Sequence, residues 1–179
     1  MGCAIVVDAS VARAAGESGK PEPEACRLAL LAIKNNNHRL AMSQQIRDEW
    51  MRARSGRLVP YASLFALKWL SDMQSAGRVQ TVKLARSSRL RQRCLNALTQ
   101  NPHTQNLMSA AAKDFHLIET ALKTDKRVLS LDQKIVGHLA HLKNTTGAIC
   151  AVMWVHPVIH QASNWLDHGA PDTPAYHVC

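Results

Sequence analysis

The run Ala4-Ile5-Val6-Val7-Asp8 is apolar, largely β-branched and shows no alternation with polar residues. A strand with one face in water alternates, whereas a strand buried on both faces does not. These residues therefore read as a strand of a parallel sheet covered by helices on both sides. Asp8 closes the run. A charge at the end of an apolar strand is costly unless it faces an open mouth, so Asp8 is the first candidate functional residue.

Outward from this strand, the chain alternates between short apolar runs and helical patterns. Pro21 to Lys34 reads as a helix: Pro21 suits the first turn, Glu22 and Glu24 suit the positive end of the helix dipole, and Leu28, Leu31 and Ala32 form a stripe. Asn35-Asn36-Asn37 stops it. Arg39 to Ser43 reads as a second strand, and Ser43 caps a helix running to about Arg54 with Ile46, Trp50 and Ala53 on one face. Pro60 opens a helix to about Ala76, Val79 to Val82 reads as a short strand, and Ala85 to Leu98 as a basic helix. Asn101-Pro102 is a break. Thr104 to Thr124 reads as helix, in two pieces parted near Lys113. Then come a strand Arg127–Asp132, a helix Gln133–Leu142 and a last apolar strand Ala148–Val155. Strands alternating with helices predict an α/β fold with a mainly parallel central sheet. Residues 1–155 form the predicted domain, and the polar, turn-rich stretch 156–179 a C-terminal extension in which Trp165 and Leu166 are expected to dock on the domain or on a second subunit.

The 179 residues are 46% hydrophobic, with eight Gly and seven Pro, which excludes wholesale disorder and collagen-like repeats. No apolar run approaches the roughly twenty residues of a membrane-spanning helix. The N-terminal stretch lacks a basic region before its apolar residues, and Val6 stands where a myristoylation motif wants Ser or Thr, so neither a signal peptide nor that lipid anchor is expected. Cysteines at 3, 26, 94, 150 and 179 include no C-x-x-C pair, which predicts free thiols in a reducing, cytoplasmic setting, with Cys3 and Cys150 as small core residues.

The formal net charge is +9. Between Arg47 and Arg93 there are eleven Lys or Arg against Asp48, Glu49 and Asp72, and no acid occurs from Met73 to Lys113. So one-signed a stretch repels itself unless a polyanion offsets it, which points to nucleic acid. Lys83, Arg86, Arg89, Arg91 and Arg93 are the candidate phosphate-binding residues.

Three acids join Asp8. Asp132 ends a later strand, Glu49 lies at the edge of an apolar helical stripe, and Asp114 precedes Ile118 and Ala121 at i+4 and i+7. In open parallel sheets ligands bind beyond the carboxyl ends of the strands. Carboxylates converging there raise one another's pKa, and hard divalent cations with oxygen ligands, Mg²⁺ or Mn²⁺, relieve that repulsion. Each acid also has a plainer reading: Asp8 and Asp132 as caps of the following helices, Glu49 on a solvated face, Asp114 near a helix N-terminus. Asp48 adjoins Glu49 as a competing ligand. His138 with His141, and His156 with His160, match no zinc-protease motif, and the chain has no glycine-rich nucleotide loop and no G-x-S-x-G elbow. Trp69, with Phe65 and Leu70, reads as core rather than as a base-stacking platform.

The stretches Ile5-Val-Val-Asp-Ala-Ser10, Met42-Ser-Gln-Gln-Ile-Arg-Asp-Glu-Trp50, Lys113-Asp-Phe-His-Leu-Ile-Glu-Thr-Ala-Leu122 and Val128-Leu-Ser-Leu-Asp132 resemble, in order and spacing, the PIN-domain ribonucleases, which include many toxins of toxin–antitoxin pairs. The resemblance covers residues 1 to about 155. It implies a three-layer α/β/α domain acting as a metal-dependent endoribonuclease on single-stranded RNA. Asp8, Glu49, Asp114 and Asp132 then serve as catalytic metal ligands for Mg²⁺ or Mn²⁺, with Ser10 and Ser130 as accessory polar groups. It further implies an antitoxin protein partner and a homodimer. Members often carry another acid two residues after the fourth; this chain has Lys134. A catalytically silent RNA-binding or protein-interaction module on the same fold is the alternative.

Overall fold

The computed structural model describes residues 2–16, 19–52, 60–86, 88–100 and 108–179. Strands β1 (Ala4–Val7), β2 (Arg39–Ser43), β3 (Val79–Val82), β4 (Arg127–Leu129) and β5 (Met153–Val155) form one sheet in the order β3-β2-β1-β4-β5. Every pairing is parallel, and Val6 sits between Ala41 and Val128. All four residues of β1 are buried, as expected of a strand covered on both faces.

Nine helices accompany the sheet among the described residues: α1 (Ala9–Ala14), α2 (Pro21–Asn35), α3 (Gln44–Met51), α4 (Leu64–Ser75), α5 (Arg89–Gln100), α6 (Met108–Leu122), α7 (Lys134–Ala140), α8 (Gly147–Cys150) and α9 (Ala162–Asp167). Helix α6 packs across β1, β2 and β4, with α5 and α7 against it, while α1, α2, α4 and α9 form the other helical layer. The result is an α/β fold of three layers. The chain lays down β1, β2 and β3 toward one edge, then returns to place β4 on the other side of β1. The crevice where strand order reverses therefore opens between β1 and β4, at their carboxyl ends. No helix among the described residues is long and apolar enough to cross a membrane.

Local chemistry explains most boundaries. The Ser43 and Ser63 hydroxyls accept the Ile46 and Ala66 amides and so cap α3 and α4. Asn37 ends α2 in the left-handed region at φ 57°, and the His38 amide closes the turn on the Ile33 carbonyl.

Several expectations are corrected. A short helix, α1, follows β1 directly. Helix α4 begins at Leu64, not Pro60, because the Ser63 side chain supplies the cap. Helix α5 begins at Arg89. Helix α6 runs unbroken through Lys113, so Asp114 lies within it. The apolar run 148–155 is divided between α8 and β5. On α2, Leu28 and Leu31 face solvent, whereas Cys26, Ala29, Leu30 and Ile33 are buried. A run of six consecutive apolar residues offers the core more than one stripe, and packing selects one. The expected helix end at Arg54, the stripe residue Ala53, the break at Asn101-Pro102 and the helix start at Thr104 lie outside the described residues.

The expectation of five free thiols is also corrected: Cys150 and Cys179 form a disulfide. The C-terminal extension returns along the sheet edge, where His177 bridges Met153 antiparallel and the Val178 amide donates to the Val152 carbonyl. It thereby covers an edge strand that would otherwise present unpaired backbone groups. Helix α9 packs on α2, with Trp165 and Leu166 buried. Buried His38 ties both termini together. Its Nδ1 accepts the Cys3 amide at 3.0 Å, so Nε2 carries the proton and donates to the Leu166 carbonyl at 2.9 Å.

Candidate active site

Asp8, Glu49, Asp114 and Asp132 line one pocket of about 420 Å³, together with Ser10, Arg52, Tyr61 and Lys113. Four segments widely separated in sequence supply the acids. β1 ends at Asp8, and the turn after β4 carries Asp132, so these two flank the crevice. Helix α3 brings Glu49 in from one side and α6 brings Asp114 from the other, where α3 and α6 pack together.

Asp8 is the most firmly held. Its Oδ2 accepts the Ser10 hydroxyl at 2.5 Å and the Ser130 hydroxyl at 2.6 Å, while Oδ1 accepts the Ser10 amide at 3.3 Å. Each serine in turn accepts an amide from the β4 turn: Leu131 N–H reaches Ser10 Oγ at 3.2 Å, and Asp132 N–H reaches Ser130 Oγ at 3.0 Å. The two hydroxyls thus lock both crevice acids to one network. Asp8 also caps α1, so the cap reading is borne out, and the same side chain lines the pocket. Asp132 Oδ1 accepts the Lys134 amide at 2.9 Å, and the Asp132 carbonyl is fixed by the Trp154 indole at 2.9 Å.

Glu49 is aimed by a residue the sequence reading did not single out. His116 Nε2 lies 3.2 Å from Glu49 Oε2, and its Nδ1 lies 2.7 Å from the Lys113 carbonyl. Both ring nitrogens face acceptors, which suits the doubly protonated ring. Burial alone would depress the His116 pKa, but the hydrogen bond and charge of Glu49 outweigh it and leave it raised. A lone histidine two residues after Asp114 carries no distinguishing sequence signal; only the approach of α6 to α3 gives it a partner. Asp48, the competing ligand, is exposed and accepts the Gln44 amide nitrogen at 2.8 Å on the far side of the helix.

Asp114 has no hydrogen-bond or ion-pair partner among the described residues, and its carboxyl is pushed up to about 6. Burial is the main cause; the charges of Asp8, Asp132 and Glu49 add to it and His116 partly offsets them. Such a group marks a site where negative charge has been gathered beyond what the protein itself neutralises. Among the described residues, no three His, Cys, Asp or Glu side chains already stand as a ready-made metal cage. The donor chemistry nevertheless fits a hard divalent cation. Four carboxylates supply only oxygen, and Asp114 is unsatisfied until a cation or a proton reaches it.

Of the basic candidates, Lys83, Arg86, Arg89 and Arg93 are exposed. Arg91 differs, because its guanidinium donates to the Ala112 carbonyl at 2.7 Å and joins α5 to α6. Neutralising Arg86, Arg89 and Arg93 together is expected to weaken single-stranded RNA binding for all sequences alike. The slope of log affinity against log salt should shrink by about 0.7 for each phosphate no longer neutralised. Fluorescence anisotropy across a salt series checks this, and an unchanged slope would make α5 an ordinary solvated helix.

Among the described residues, the buried thiols and the His156–His160 pair are not set up for nucleophilic or metal chemistry. Burial, reinforced by Glu22, pushes the Cys26 thiol up to about 12, and burial with Glu119 pushes Cys94 up to about 11, so neither supplies a thiolate at neutral pH. His160 Nδ1 accepts the His156 amide, and His156 Nδ1 accepts those of Val158 and Ile159. Burial lowers both pKa values, which keeps the rings neutral for this turn-capping work. Trp69 and Leu70 are core, as read from the sequence.

No protein-family model matches the chain, and neither the curated proteins nor the solved structures contain a significant match.

Proposed function

We propose that this chain is a metal-dependent endoribonuclease that hydrolyses single-stranded RNA, as its resemblance to PIN-domain ribonucleases implies. The observation that carries the reading is the meeting of Asp8, Glu49, Asp114 and Asp132 in one pocket at the switch point, with Asp114 held near 6. These four carboxylates would hold Mg²⁺ or Mn²⁺. When bound, such a cation supplies Lewis-acid activation of water and offsets charge on the departing oxygen of a phosphodiester.

The chain's own groups prepare that site. Ser10 and Ser130 hold Asp8 rigid, so little reorganisation accompanies ligand binding. His116 fixes the Glu49 carboxylate and lowers its repulsion toward the other acids. The Asp114 carboxyl retains a proton near pH 6 and gives it up when a cation arrives, so cation binding releases protons. Arg52 and Lys113, which line the same pocket, would grip phosphate oxygens. The toxin reading adds an antitoxin partner and a homodimer, tested by co-purification with the product of an adjacent reading frame and by sizing chromatography, and a cytoplasmic site of action, against which the Cys150–Cys179 disulfide argues.

The decisive experiment is cleavage of a mixed single-stranded RNA pool with Mg²⁺, with Mn²⁺ and with chelator, alongside thermal unfolding. Cleavage only with metal is expected, together with stabilisation of about 2.7 kcal/mol at a metal concentration one hundred times Kd. Absence of both would favour a catalytically silent module. Lys134, at the position of the family's frequent further acid, is the feature that supports that second reading.

A further inference from the structure

A second pocket lies between the loop after β3, helix α5 and helix α6. It measures about 330 Å³, at the small end of ligand sites, and is walled by Leu84, Leu90 and Leu122. Glu119 forms part of its lining and is only 8% exposed. Among the described residues its carboxylate has neither a hydrogen-bond nor an ion-pair partner. The nearby cations do not reach it: the Lys123 ammonium donates instead to the Lys83 carbonyl at 2.6 Å, and Arg89 is exposed at the rim. Glu119 is thus a largely buried carboxylate whose remaining access to solvent is through a pocket, and it asks what it is meant to meet there.

Two features constrain the answer. Glu119 is the one acid among the described lining residues and accepts hydrogen bonds, while the Ser88 hydroxyl can donate or accept. The rim carries Arg89 and Lys123, whose ammonium reaches the Lys83 carbonyl, and the stretch 73–113 that supplies Lys83, Arg86 and Arg89 holds no acid. A cationic ligand suits Glu119 and is repelled by the rim; a simple anion suits the rim and is repelled by Glu119. An uncharged flat group with two adjacent N–H donors, attached to a phosphate chain, satisfies both.

We propose that this pocket is a base-specificity site for guanine in single-stranded RNA. Guanine alone among the four bases offers two neighbouring donors on its Watson–Crick edge, N1–H and the N2 amine, which a carboxylate accepts together. Its O6 acceptor then faces the cationic rim, and the leucines cover its faces. Single-stranded RNA is the form whose base edges are available to be read this way. Glu119 lies five residues after Asp114 on α6, about 7.5 Å along the helix axis. Five residues also turn the helix by about 140°, so a strand held by its guanine would have to curve around α6 to reach the acids. This inference rests on the ribonuclease reading for its substrate class, yet it concerns separate residues.

The test uses the full chain with chelator present and ten-nucleotide polyuridine probes carrying, at the centre, guanine, inosine, adenine or uracil. Anisotropy is expected to give the guanine probe about tenfold tighter binding than the adenine or uracil probes, with inosine, which lacks the N2 amine, between them. Glu119→Gln should reduce the guanine probe to the level of the uracil probe and leave the uracil probe unchanged. Ala85→Trp, which fills the pocket mouth from an exposed position, should do the same, and thermal unfolding verifies that both variants fold. Equal affinity for all four probes, a preference that survives both substitutions, or no RNA binding at all would overturn the site. The two readings fail separately. A guanine preference without metal-dependent cleavage retains the pocket and removes the nuclease, whereas cleavage without a guanine preference does the reverse.

Discussion

Replacing Asp114 by Asn is expected to cut metal-dependent RNA cleavage by at least about a hundredfold while making the metal-free protein more stable. The carboxyl titrates near 6 in the fold against 3.8 ordinarily. Between these values the folded protein binds more protons than the unfolded chain, so stability falls as pH rises through the window. Above about pH 6 the full cost of the ionised carboxylate is present; below about pH 4 it is absent. Asp114 is only partly buried, and solvent screening reduces the effect to about 1–2 kcal/mol at pH 7. Asn keeps the shape and removes the charge, so melting at pH 7 should rise by roughly 2–8 °C. At pH 4 variant and parent should melt alike. A lower melting temperature at pH 7 would show that Asp114 is structural and would remove it from the proposed site. Asp8 is expected to behave differently, because Asp8→Asn disturbs three hydrogen bonds, one of them the cap of α1, as well as the charge.

Loss of the Cys150–Cys179 bridge is expected to have the largest effect on stability. The bridge closes a separation of 29 residues. A loop of that size restricts the unfolded chain by about 3.5 kcal/mol on the chain-entropy account. Cys179→Ser should therefore lower stability by about that amount in non-reducing buffer and leave it unchanged once both proteins are reduced. Denaturant unfolding with and without a thiol reductant measures this directly. Equal stability of variant and parent in non-reducing buffer would mean that the strap along β5 is held by Val178, the His177 bridge and the packing of α9 alone.

The parallel sheet was legible in the sequence because strands buried on both faces cannot hide their composition: Ala4–Val7, Leu40–Met42 and Val128–Leu129 are apolar without alternation. The proposed site was legible in part for a related reason. A charge at the end of such a strand, as at Asp8 or Asp132, has few places to go except the crevice. Glu49 is preferred over Asp48 because, as in the PIN-domain pattern that the chain resembles, it directly precedes the aromatic Trp50.

Distant encounters were not legible. His116 acquires a role only when α6 meets α3, and Glu119 stands out only when α5 and the loop after β3 close a pocket around it. Cys150 and Cys179 carry no pairing motif; the return of the C-terminal strap along β5 brings them together. Local pattern, set by burial and backbone chemistry within a few residues, was enough to determine the strands, most helices and which acids point inward. Partners across the fold depend on how helices of similar amphipathic character choose their packing faces, as the unexpected exposure of Leu28 and Leu31 shows, and that choice is made only in three dimensions.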